Sequence, residues 1–167
     1  FCGSGGLSLG IENALNSVGL DANFLLACDI SKDSLEVYNA NFSPKKQVLD
    51  NVANLILEGK KELVQGLKIP CINDVQLIPE IREFVGQIDV FAAGPPCEGN
   101  SNLNNITRRT DHRNNHYVTA AILAAKLGAS IVIIENVQAV KSARQNVVEQ
   151  AKLILHKAGY SVNNCEH

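Results

Sequence analysis

The chain has 167 residues, of which 46% are hydrophobic and 19% charged, enough for one domain of ordinary size and too apolar for a disordered tail. Lys+Arg 15 against Asp+Glu 17 gives a formal charge of -2, so no global basic excess points to nucleic acid, and only a local basic loop is left to look for. Unbroken apolar runs fall far short of the ~20 residues that span a bilayer, and no charged-then-apolar leader opens the chain.

In chain order, a glycine-rich turn from Phe1 to Leu7 comes first, so that the sequence reads as a piece of something longer. Helix-length patterns follow at Leu7 to Val18, Lys32 to Asn41, Arg113 to Leu127 and Arg144 to Lys157, with Gly19, Gly128 and Gly159 placed as C-terminal stops. Short apolar runs at Asn23 to Asp29, Ile88 to Ala93 and Ser130 to Glu135 predict buried strands, and Tyr160 to Asn164 is a weaker strand candidate. Lys45 to Lys68 reads as an amphipathic helical insertion without chemistry of its own. Near-continuous apolar strands separated by helices imply a doubly wound, mostly parallel α/β sheet covered on both faces, as one domain over residues 1–167. In such sheets ligands sit at the carboxyl ends of strands.

Cysteine usage points away from a disulfide framework. Cys2, Cys28, Cys71, Cys97 and Cys165 are odd in number and irregularly spaced, with no paired Cys-x-x-Cys for zinc, so no metal is expected and a reducing, cytoplasmic setting is.

Three strand ends carry chemistry. At the first, Gly3, Gly5 and Gly6 precede a helix and let a ligand approach bare backbone. Asp29 ends the next strand about twenty-five residues on, which suits an acid accepting from ribose hydroxyls, in a dinucleotide or in an adenosyl cofactor. Ser8 occupies the third glycine position of the dinucleotide fingerprint. At the second, Gly94-Pro95-Pro96-Cys97-Glu98-Gly99-Asn100-Ser101 follows a predicted strand, and its prolines would hold a reactive thiol in one place. At the third, Glu135 follows an apolar run that would partly desolvate it and favour a protonated carboxyl able to donate to a ring nitrogen. Between these two ends, Asn102 to Asn115 carries Arg108, Arg109, His112 and Arg113 against one Asp111. A loop of that charge fits a mobile lid meeting phosphates.

FCGSGG, an acid ending the second strand, GPPCEGNS and ENV, in that order, resemble the cytosine carbon-5 DNA methyltransferases. The resemblance covers nearly the whole chain and implies a Rossmann-like S-adenosylmethionine-dependent fold, truncated at both ends. It implies S-adenosylmethionine, with S-adenosylhomocysteine as product, over Phe1, Gly3, Ser4, Gly5, Gly6 and Leu7. Asp29 would take the ribose, Ile30 the adenine, and Asp74 with Val75 the adenine amino group, with Gly94 and Pro95 also at the cofactor. Cys97, held by Pro96, would add to carbon 6 of a flipped cytosine while Glu135 holds nitrogen 3. Asn136 and Val137 would position Glu135, and Ser101 and Arg113 would meet DNA phosphate and the active site. The implied partner is double-stranded DNA, met by a monomer in the bacterial cytoplasm at the nucleoid (or in a nucleus), with a restriction endonuclease as a possible companion in the same system.

Glu98 stands where Gln is commonest in that family, and His116 where Leu is usual. The family's later arginine-bearing motif and target-recognition region lie outside residues 1–167. A related tRNA methyltransferase shares Pro-Pro-Cys and ENV but carries Cys-Phe-Thr where this chain has Gln138-Ala139-Val140-Lys141. A non-catalytic methyltransferase-like regulator would lose Cys97 or Glu135, and Ser8 disfavours an NAD-binding oxidoreductase.

Overall fold

The computed structural model describes residues 1–57, 59–96, 115–136 and 146–165. The glycine turn feeds α1 (Gly6–Ser17), followed by β1 (Leu26–Asp29), α2 (Lys32–Phe42) and β2 (Lys46–Leu49). A 3-10 turn (Val52–Leu55) leads to β3 (Ile56–Leu57), the hairpin β4 (Lys61–Val64) and β5 (Leu67–Pro70), then β6 (Gln76–Leu77) and a second 3-10 turn (Pro79–Phe84). The remaining described elements are β7 (Val90–Ala93), α3 (Asn115–Leu127), β8 (Ile131–Ile134) and α4 (Val147–Lys157).

Each predicted helix is present, α1 and α2 within one residue of the predicted ends, while the predicted starts of α3 and α4 at Arg113 and Arg144 lie outside the described residues; Gly19, Gly128 and Gly159 all adopt the positive φ expected of C-terminal stops. The apolar runs form β1, β7 and β8, shorter than predicted. Residues 160–164 form no strand. Tyr160 instead turns its hydroxyl to the carbonyl of Ala129 at 2.5 Å, bracing the connection between α3 and β8.

The larger correction is the segment from Lys45 to Lys68, which forms no α-helix among the described residues. Its first part is β2, pairing parallel with β1 from Leu26↔Lys46 to Asp29↔Leu49. Its last part is an antiparallel hairpin in which Gln65 and Gly66 both take positive φ, 49° and 80°. Two left-handed residues in a two-residue loop match the right-handed twist of a hairpin, and that local geometry overrides a helix-like apolar spacing.

β7 pairs parallel with β8, Val90↔Ile131 through Ala93↔Ile134, so the ends of these two strands are level. The extended backbone of residues 1–2 links the two parallel pairs. The amide of Cys2 donates to the Cys28 carbonyl at 3.1 Å, and the amide of Gly94 donates to the Phe1 carbonyl at 3.3 Å.

Successive side chains on a strand face opposite ways. On β1, Ala27 packs with Leu35 and Tyr38 of α2, while Cys28 joins the main core, so this strand is covered on both faces. The main core centres on α3, whose Ala120, Ala121, Ile122, Leu123 and Ala124 are all buried. Its alanines allow close approach of α4, which contributes Val147, Ala151 and Ile154 to the same cluster. Among the described residues no helix is long and apolar enough to cross a membrane.

Candidate active site

The turn before α1 is locked by a carboxylate. Asp29, the last residue of β1, accepts the Gly3 amide on Oδ2 at 2.8 Å and the Ser31 amide on Oδ1 at 3.0 Å. A carboxylate has about four acceptor directions, so capacity is left for ligand hydroxyls. Gly5 caps α1 with φ of 100°, and a Cβ there would run into the ring of Phe42 at the end of α2. Ser8 has a local purpose that the fingerprint comparison misses: its buried hydroxyl pairs with the Tyr38 hydroxyl at 2.9 Å, fastening α1 to α2.

Gly5→Ala is therefore expected to lose stability on two counts. The left-handed backbone costs a non-glycine residue about 1–2 kcal/mol, and displacing the Phe42 ring costs a further ~1–3 kcal/mol. Denaturant unfolding of wild type and variant checks the sum.

A cavity of about 850 Å³ opens over this turn, within the ordinary range for cofactor sites. Its lining brings together Phe1, Gly3, Ser4, Gly6 and Leu7, then Asp29 and Ile30, then Gly94, Pro96 and Glu135. These were expected from three separate strand ends. Ile30 is 73% exposed, a large apolar side chain facing the cavity without protein cover. Gly5 and Pro95 are buried beside the lining rather than in it.

The level ends of β7 and β8 create the second half of the site. The Glu135 amide donates to the Ala93 carbonyl at 2.9 Å, continuing the ladder from the last residue of β7 to one residue past β8. Glu135 Oε2 would lie 3.7 Å from a Cβ on Gly94, so the absent side chain at 94 leaves room beside the carboxylate. Asn136 donates from Nδ2 to the Pro95 carbonyl at 3.3 Å, tying the Gly94–Pro96 segment to the end of β8. Cys97, Ser101, Arg113 and Val137 lie outside the described residues, as does the arginine-bearing loop read as a lid.

Two expectations are corrected. Asp74 and Val75 do not line this cavity: Val75 is fully buried in the core, and Asp74 is exposed in a turn beside Gly59. The corresponding wall is built by Asp50, Asn51 and Val52, where the chain leaves β2. The Asp50 amide donates to the Asp29 carbonyl at 3.1 Å, so β2 delivers its following residues directly beside the end of β1. Reading residues 45–68 as helix hid them; an acid following Gln47-Val48-Leu49 was the available signal. Second, Glu135 is exposed rather than desolvated, because β8 alternates exposed and half-buried positions, with Ile131 and Ile133 outward.

The lining carries three carboxylates, Asp29, Asp50 and Glu135, and no lysine or arginine among the described residues. His116, in the first turn of α3, completes it, its ring edge-on to Phe1 at 5.2 Å between centroids. The nearby thiols are poorly suited to chemistry. Burial pushes Cys2 and Cys28 each up to about 11. No group of three metal-ligating side chains is found among the described residues.

The family described as C-5 cytosine-specific DNA methylase matches residues 1–164. The chain belongs to that family. It is also 34% identical over 160 residues to the Type II methyltransferase M1.BsuMI of Bacillus subtilis (strain 168), an alignment covering 96% of this chain and 35% of the relative. The chain thus spans about a third of that relative's length. Within the family's matched span lie the glycine turn, Asp29, the Gly94–Pro96 segment and Glu135, all assembled around one cavity.

Proposed function

We propose that the chain is the catalytic region of a DNA cytosine-5 methyltransferase that attacks the base through Cys97. The observation that carries this is the junction of Gly94–Pro96, leading into Cys97, with Glu135–Asn136 over a cavity floored by the Asp29-locked turn. A Rossmann-like, doubly wound sheet underlies it. This is supported by the two covered faces of β1 and by the bonds through which residues 1–2 bridge β1 and β7.

The donor set fits S-adenosylmethionine. Asp29 has acceptor capacity for ribose hydroxyls, Ile30 offers an uncovered apolar face to adenine, and Asp50 replaces Asp74 as the acceptor for the adenine amino group. When bound, S-adenosylmethionine supplies an electrophilic methyl group on a sulfonium, leaving S-adenosylhomocysteine.

The chain's own residues make the base able to take it. A stacked cytosine is out of reach, so the base must leave the duplex. The Cys97 thiolate then forms a bond to carbon 6, and the ring's electron pair moves toward carbon 5 while Glu135 donates its proton at nitrogen 3. Carbon 5 becomes the nucleophile. After methylation, loss of the carbon-5 proton to solvent, departure of Cys97 as thiolate and return of the nitrogen-3 proton to Glu135 restore the aromatic ring. Asn136 positions this machinery by holding the Pro95 carbonyl. Val137 adjoins it, while Ser101 and Arg113 serve the DNA phosphates.

The substrate is double-stranded DNA, met by a monomer in the bacterial cytoplasm, and the protein protects DNA against a companion restriction endonuclease. Transfer of labelled methyl from S-adenosylmethionine to cytosine in duplex DNA tests the proposal, and transfer to tRNA alone overturns it. Asp29→Asn is expected to weaken cofactor binding about tenfold or more. Asparagine removes the charge and can accept only one of the two backbone amides without presenting a donor to the other. Calorimetric titration with S-adenosylhomocysteine measures this directly.

A further inference from the structure

Asp50 reaches the cavity with its backbone already fixed. Its amide donates to the Asp29 carbonyl at 3.1 Å, and its carbonyl accepts from the buried Cys28 thiol at 3.5 Å. The carboxylate is left to rotate, and two donors converge on one of its oxygens. The Asn51 amide donates to Asp50 Oδ1 at 2.6 Å, and Asn54 donates from Nδ2 to the same oxygen at 2.7 Å. Oδ2 has no hydrogen-bond partner among the described residues. A single donor would make Oδ1 a pivot about which Oδ2 could swing. Two donors on one oxygen must approach along different directions, and together they fix the carboxylate plane and the lone pairs of Oδ2.

The turn that carries Asn54 is held without its side chain. The Asn54 backbone amide closes it on the Asn51 carbonyl at 2.8 Å, and the Asn51 side chain caps it by accepting the Ala53 amide at 3.0 Å. Asn54 is exposed and does not line the cavity, whereas Asp50 does. Its side-chain bond is thus directed at a lining residue rather than at the core. The direction of Oδ2 matters for what can face it. The amino group on carbon 6 of adenine donates to a carboxylate oxygen; the carbonyl that replaces it in hypoxanthine offers only lone pairs and is repelled. A carboxylate free to swing would lose the first contact and relieve the second.

We infer that Asn54 is a positioning residue: it holds Asp50 in the orientation that accepts an amino-purine, and so sets the preference for an adenosyl over an inosyl cofactor. This rests on Asp50 being the acceptor for the adenine amino group.

Calorimetric titration of the intact protein with S-adenosylhomocysteine and with S-inosylhomocysteine, which differ at carbon 6 of the purine, tests this in a double-mutant cycle. Asp50→Ala is expected to weaken S-adenosylhomocysteine about tenfold or more and S-inosylhomocysteine by less than about twofold. Asn54→Ala should weaken S-adenosylhomocysteine about three- to tenfold, again with less than about twofold on S-inosylhomocysteine, whose retained binding shows that the variant is folded. Combined with Asp50→Ala, Asn54→Ala should add less than about twofold, because a positioning residue has no effect once the group it positions is gone. Equal losses of both ligands on Asn54→Ala, or a loss that adds fully to that of Asp50→Ala, would make Asn54 a structural residue of the turn. Unchanged binding of S-adenosylhomocysteine would show that the Asn51 amide alone fixes the carboxylate. Each of these overturns the inference and leaves the role of Asp50 standing. If Asp50→Ala itself weakens both ligands alike, or neither, Asp50 does not read the amino group and the role of Asn54 falls with it.

Discussion

Cys97→Ser is expected to lower methyl transfer to duplex DNA by at least about 10³-fold, the scale seen when a covalent nucleophile is removed. Cofactor affinity should stay within about twofold, because the thiol is assigned to the base rather than to the cofactor and a single sulfur-to-oxygen exchange leaves the cofactor's own partners in place. The hydroxyl of serine is a far weaker nucleophile at neutral pH than a thiolate, so carbon 6 is not attacked and carbon 5 never gains electron density. Duplex DNA containing 5-fluorocytosine provides a second readout: fluorine cannot leave as the proton does, so the wild-type enzyme should be trapped as a covalent adduct and the variant should not. Cys2 and Cys28 cannot substitute for the missing thiol. With values pushed up to about 11 by burial, each is thiolate to only about one part in 10⁴ at pH 7. Methylation by the serine variant at a rate comparable to wild type would remove the covalent role from Cys97.

Glu135→Gln is expected to cost about 10²–10⁴-fold in turnover, the usual range for losing a positioned proton donor. Glutamine can still donate a hydrogen bond to nitrogen 3, but it has no proton to transfer as the ring accepts electrons from the thiolate. The structure separates this loss from unfolding. Glu135 is exposed at the end of β8, so the substitution should shift stability by no more than about 0.5 kcal/mol. Thermal melting beside single-turnover kinetics distinguishes the two effects. A matched fall in melting temperature and rate would reassign Glu135 to a structural role.

The parts of this architecture legible in the sequence are those governed by local chemistry. Glycines with positive φ mark helix ends because few other residues adopt that backbone without cost, and Gly19, Gly128 and Gly159 do so. Apolar runs of four to six residues are too short for helices, so β1, β7 and β8 were identifiable, with Asp29 and Glu135 at their ends. What was not legible depended on partners distant in sequence. β2 is only half-buried, and its strand state comes from pairing with β1, twenty residues earlier at each position of the register (Leu26↔Lys46). The site residues Asp50 to Val52 were lost with it. Asp74-Val75 resembled a cofactor motif in letters, yet the core took Val75 and left its neighbour outside. The exposure of Glu135 depends on what covers β8, which a continuous apolar run cannot express.

The fastenings around the glycine turn have a consequence for the energetics of ligand entry. Asp29 holds Gly3, the Phe42 ring fills the space beside Gly5, and the Ser8–Tyr38 hydroxyl pair ties α1 to α2. The floor of the cavity is thus set before anything occupies it, and little backbone freedom is left to be lost on association. Adenosyl ligands should therefore bind this protein with only a small penalty from ordering the chain. Loosening a fastening that never touches the ligand, the Tyr38 hydroxyl for instance, would weaken binding through entropy, with every direct contact still in place.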